Sequence, residues 1–127
     1  VAAAWGLGGP LVPPAPLSLA EAAVGTLVVE RWVSDPTERF EVAPPQITCA
    51  TAIRAPRGLQ DALRHEWWHD GARVDVVDLD VRGGREEGFR TWSTKRNLGP
   101  RPQGRWRCRV VTAAGQVVGQ IRFEIAG

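Results

Sequence analysis

Gly104-Arg105-Trp106-Arg107-Cys108-Arg109-Val110-Val111-Thr112, followed by Gln116-Val117-Val118-Gly119-Gln120-Ile121-Arg122-Phe123-Glu124-Ile125, is the stretch that decides the fold. Successive side chains of a strand point to opposite faces. In the first segment Trp106, Cys108 and Val110 therefore share one face, and Arg105, Arg107 and Arg109 share the other. This is the pattern of a strand with an apolar inner side and a basic outer side. Ala114-Gly115 supplies turn chemistry before the last strand, so the two segments predict a β-hairpin.

The period-2 pattern continues upstream. Ile47, Cys49, Thr51 and Ile53 fall on one face of a strand, with Thr48, Ala50 and Ala52 on the other. Asp70-Gly71 is the strongest short hairpin signal in the chain. The segment before it carries two readings. Leu59, Leu63 and Trp67 stack at helical spacing, whereas Leu63, His65, Trp67 and His69 share a face of a strand; the hairpin turn favours the strand. Arg73 to Val81 follows, and its change of phase at Val76-Val77 predicts a bulge there. Nearer the N-terminus the expectations are a short helical turn over Ser18 to Ala23, a first strand near Thr26 to Val33 and an edge pairing at Phe40 to Val42.

Four prolines within Pro10 to Pro16 remove backbone donors and favour an extended path. Residues 1–17 are therefore expected to form a proline-rich spacer and 18–127 a single domain. The chain has 127 residues, enough for one modest core. Seven or eight short strands without βαβ alternation predict an all-β, immunoglobulin-like antiparallel sandwich. No apolar run approaches the roughly 18 residues that a membrane-spanning helix needs. Val1 is expected to be a processed terminus, and Val1 to Leu7 either the remnant of a removed leader or anchor or an ordinary apolar tail.

Charge is unevenly distributed. Arg82 to Arg109 is rich in arginine and lysine, whereas Asp61, Glu66, Asp70, Asp75, Asp78 and Asp80 precede it. Two readings follow. Opposite charges on neighbouring strands neutralise each other, with Trp68 and Trp92 interleaving the arginines, or the basic side binds an anionic surface. The residues for such a surface are Arg85, Arg90, Trp92, Lys95 and Arg96 of the Gly-flanked loop, Arg105, Arg107 and Arg109 of the strand, and Trp68. Nucleic acid is not favoured, because the aromatics lack the spacing of single-strand binding motifs.

His65-Glu66-Trp67-Trp68-His69 matches the letters of a zinc-peptidase motif. That chemistry requires a helix that aims both imidazoles at the metal with the glutamate beside them. On a strand Glu66 points away from His65 and His69, so the metal reading is the weakest. Cys49 and Cys108 both fall on core faces with Trp67 between them in sequence. This order resembles the immunoglobulin sandwich, in which a disulfide joins the sheets and a tryptophan packs on it. A bridge would contribute about 3–4 kcal/mol and point to an oxidising compartment. The alternative is a pair of free cysteines packed as small apolar residues.

Taken together, Val12-Pro13-Pro14-Ala15-Pro16-Leu17, the Ile47–Ile53 strand, His65 with Trp67, Gly83-Gly84-Arg85, Gly88-Phe89-Arg90, Thr94-Lys95, Gly104-Arg105-Trp106-Arg107 and Gly115-Gln116-Val117-Val118-Gly119 before Phe123 resemble a bacterial family, domain of unknown function 2914. The resemblance implies a β-rich domain attached to, or working beside, a membrane protein, with no established activity. The expected role is a non-enzymatic accessory domain or extrinsic subunit, without a cofactor, at the extracytoplasmic face of the cell envelope. Its expected partner is a membrane protein or membrane protein complex. The rivals are a carbohydrate-binding module for an anionic glycan and a small zinc hydrolase on His65, Glu66 and His69.

Overall fold

The computed structural model describes residues 17–55, 62–79 and 89–127. Residues 1–16 of the proline-rich spacer, and residues 83–88 of the expected basic loop with Arg85 among them, lie outside those residues; the rest of that expected loop is corrected, because Phe89–Lys95 is a strand. Ten strands and no helix are present among them: β1 (Ser18–Gly25), β2 (Leu27–Val29), β3 (Trp32–Ser34), β4 (Arg39–Phe40), β5 (Ile47–Arg54), β6 (Leu63–His69), β7 (Ala72–Leu79), β8 (Phe89–Lys95), β9 (Gly104–Thr112) and β10 (Val117–Ile125). Seven are long, and the other three, β2, β3 and β4, have only two or three residues.

The strands form a five-stranded sheet in the order β4-β10-β9-β6-β7, a three-stranded sheet in the order β1-β5-β8 and the small β2-β3 hairpin. All pairings are antiparallel except the short β4–β10 one. This is the immunoglobulin partition, with the second and sixth long strands of the chain, β5 and β9, in opposite sheets. Cys49 of β5 and Cys108 of β9 form a disulfide between the sheets, with their Cα atoms 6.6 Å apart. Trp67 of β6 stands opposite Cys108 and is fully buried. Its ring meets Phe123 edge-on at 6.3 Å.

The sequence contains no tyrosine. Immunoglobulin domains commonly place one two residues before the second cysteine, where its hydroxyl bonds to upstream backbone. Here Trp106 holds that position and its Nε1 donates to the Pro102 carbonyl at 2.7 Å. An indole N–H thus ties down the same corner.

Several local expectations are corrected. Ser18 to Ala23 is strand, not helical turn, because β1 pairs with β5 along its length. Pairing overrides the weak helix preference of its alanines and glutamate. The strand expected over Thr26 to Val33 breaks at Glu30 and Arg31, both with left-handed backbone (φ 52° and 67°), to make the β2–β3 hairpin. The edge pairing is Arg39–Phe40, not Phe40 to Val42. The bulge in β7 falls at Val74, since Trp67 pairs with Asp75 while Trp68 pairs with Arg73. At the other hairpin Asp70 (φ 47°) and Gly71 (φ 85°) adopt the two positive φ values that an Asp-Gly turn favours.

β5 is buried on both faces. Ile47, Cys49, Thr51 and Ile53 face the large sheet, while Ala50 packs under Val33 and Trp32 of the small hairpin. Small residues on that second face let the hairpin lie close. At the opposite side Gly119 of β10 admits Leu19 of β1, whose side chain would stand 2.7 Å from any Cβ there.

Candidate functional site

The outer face of the five-stranded sheet follows directly from the alternation of its strands. Because Trp106, Cys108 and Val110 are buried, β9 presents Arg105, Arg107 and Arg109 outward. β10 buries Phe123 and Ile125 and presents Gln120, Arg122 and Glu124. β6 contributes Glu66 and Trp68. The register sets Arg105 opposite Glu124, Arg107 between Arg122 and Trp68, and Arg109 between Gln120 and Glu66.

The guanidinium groups of Arg107 and Arg109 lie over the Trp68 ring, 5.1 and 4.9 Å from its centroid. Trp68 Nε1 donates to Glu66 at 3.1 Å, and Arg73 bonds the other oxygen of Glu66 at 3.3 Å. Arg39 joins Glu124 to Glu41. Trp68 thus supports the arginine row, as one of the two readings of the sequence expected, whereas Trp92, expected beside it, lies in the other sheet. The described aspartates make no ion pair with the row: Asp75 pairs with Lys95 at 3.1 Å, Asp78 stands opposite Arg64, and Asp70 accepts the backbone N–H of Arg105. Asp61 and Asp80 lie outside the described residues.

Arg107 and Arg122 differ from the other outward arginines of this face in being each other's register partners. They stand directly opposite each other, and no carboxylate reaches either among the described residues. Like charges in that position cost about 0.2–1 kcal/mol. They border an open depression of about 920 Å³, whose lining includes Trp68, Arg105 and Glu124. Arg122 was absent from the sequence-derived set, although its alternation with Ile121 and Phe123 marks it as outward-facing.

The single surface expected from the sequence is divided. Arg90 and Trp92 lie on β8, in the three-stranded sheet, and point away from the sandwich interior that Thr91 and Ser93 occupy. They are therefore on the opposite side of the molecule from Trp68 and Arg107. Arg90 stacks over Trp32 at 5.2 Å, and Trp92 is 38% exposed. Lys95 is occupied by Asp75 and bridges the edges of the two sheets. Arg96 is exposed just beyond β8. The separation arises because β8 pairs with β5, not with β7.

The histidine motif lies on a strand, and its members diverge. His65 is fully buried, with its Nε2 2.9 Å from Thr51 Oγ1 and its Nδ1 2.6 Å from Ser93 Oγ. Ser93 also accepts a hydrogen bond from Trp67 Nε1 at 3.1 Å. Burial pushes the His65 imidazole down to about 3. Glu66 points to the outer face, and His69 stacks on Trp106 at 4.2 Å while donating from Nε2 to the Gln103 carbonyl. The arrangement needed for a zinc peptidase is not assembled by these three residues.

The sequence of residues 60–125 matches a family profile described as a protein of unknown function (DUF2914). No curated protein matches the chain. Among solved structures, the crystal structure of an engineered protein, a Northeast Structural Genomics Consortium target, is similar at 17% identity and a TM-score of 0.42, over 84% of this chain and 20% of that one. The chain thus spans about a fifth of that structure's length.

Proposed function

The chain belongs to the DUF2914 family, and on that premise we propose that it is a non-catalytic accessory domain that docks onto an acidic surface of a membrane protein complex in the cell envelope. The observation that carries this reading is the opposed pair Arg107 and Arg122 beside the arginine-covered Trp68. Among the described residues no carboxylate neutralises either arginine of this like-charged pair; a partner carboxylate that reaches both relieves the like-charge pairing and forms charge-assisted bonds. The inter-sheet disulfide supports an oxidising, extracytoplasmic location.

A carbohydrate-binding role has weaker support. Trp68 lies beneath two guanidinium groups, and Trp92 is on the far side, so they do not form one stacking platform.

The test is retention of the tagged chain on washed native membranes, followed by cross-linking from the β9–β10 face. The wild-type chain should be retained at low salt, released at high salt and cross-linked to one membrane component. The double variant Arg107→Glu with Arg122→Glu should lose most of that retention while keeping its disulfide and its circular dichroism. Equal retention of the folded double variant would overturn the proposal. So would recovery of the wild-type chain entirely in the soluble fraction.

A further inference from the structure

Beneath the basic face the core contains a second cluster of reactive side chains. Cys49, His65 and Cys108 come from β5, β6 and β9, are all fully buried, and place a ligand atom each within 4.8 Å of one another. Packing alone does not require an imidazole beside a disulfide. The ring is held by Thr51 and Ser93, the kind of outer hydrogen bonding that orients metal-ligating histidines. Two sulfurs and an imidazole nitrogen form a donor set suited to a soft or borderline d¹⁰ cation.

We propose that, when the Cys49–Cys108 bond is reduced, the two thiolates and His65 bind a divalent d¹⁰ cation of the zinc type, so that a metal ion replaces the disulfide as the link between the sheets. A dithiol reductant breaks the S–S bond, itself becoming a disulfide and leaving two thiols in the core. Binding of the cation then releases the two thiol protons. The charges decide which ion fits. Two thiolates and a neutral imidazole balance a dication, whereas a monocation would leave one uncompensated negative charge in a dry core. When His65 turns one nitrogen to the ion, it gives up one of its two hydroxyl partners, Ser93 or Thr51. The freed hydroxyl remains beside the ion to complete a four-coordinate set.

The probe is Co²⁺ standing in for zinc, titrated without oxygen into protein reduced by a phosphine, which becomes its oxide and does not compete as a thiol. One equivalent should produce a thiolate-to-cobalt charge-transfer band and the visible spectrum of a tetrahedral site, both abolished by added zinc. Oxidised protein should give neither. Cys49→Ser should remove the charge-transfer band, and His65→Gln should weaken binding at least tenfold, while His69→Ala changes nothing. If reduction unfolds the chain, zinc should restore its near-ultraviolet circular dichroism. The proposal fails if reduced protein binds no cobalt, if His65→Gln binds as tightly as wild type, or if unfolded reduced chain is not refolded by zinc.

Discussion

At the scale of the residue, His65 carries the clearest physical consequence. Its ring is sealed in the core between Thr51 and Ser93, where desolvation opposes the charged form and brings its pKa to about 3 from the ordinary 6.5. The unfolded chain therefore takes up a proton near pH 6.5 that the folded chain resists until near pH 3. Stability from this residue is complete above about pH 6.5 and is lost as the pH falls through that window, by up to about 1.4 kcal/mol per pH unit. Urea midpoints between pH 7.5 and 5 should fall steeply for wild type and less for His65→Gln. Identical slopes would show that the histidine is not the group responsible. The sequence placed His65 on an inward face but did not show which hydroxyls would meet it, because Thr51 and Ser93 belong to the other sheet.

At the scale of the element, strands β9 and β10 show how a sheet retains a feature unfavourable to itself. Arg107 and Arg122 face each other across a correctly paired hairpin whose inner side is fixed by Cys108 and Phe123. Shifting the register by one residue would relieve the repulsion but turn the apolar side outward, so the core determines where the arginines stand. Arg122→Gln should raise stability by about 0.5 kcal/mol, a rise of about 2 °C in Tm for a domain of this size. The same substitution should reduce membrane retention. A variant that is destabilised, or retained as strongly as wild type, would contradict the role assigned to the pair. The β2–β3 hairpin illustrates the opposite case. Its turn uses Glu30 and Arg31 with positive φ, without the glycine or asparagine that would have announced it.

At the scale of the whole molecule, the disulfide and Trp67 join two sheets that share no hydrogen-bonded strand. The closed loop spans a sequence separation of 59 residues. Breaking it with Cys49→Ala and Cys108→Ala together should cost about 3–4 kcal/mol of unfolding free energy. Denaturant unfolding of the double variant measures this, and a loss below 1 kcal/mol would show that packing around Trp67 suffices.

Local pattern was enough to predict the long strands of the larger sheet, the Asp70-Gly71 turn, the inward positions of the cysteines and the outward row of arginines. Each depends on period-2 alternation or on turn chemistry, which act within a few residues. That β8 joins β5 in the sheet with β1, which separates Arg90 and Trp92 from Trp68 and the arginine face, emerges from the packed fold. The packed fold also brought His65 to the cysteines and set Arg122 against Arg107. These juxtapositions depend on which strands pair and which faces meet, and that is fixed by burying the whole apolar surface at once.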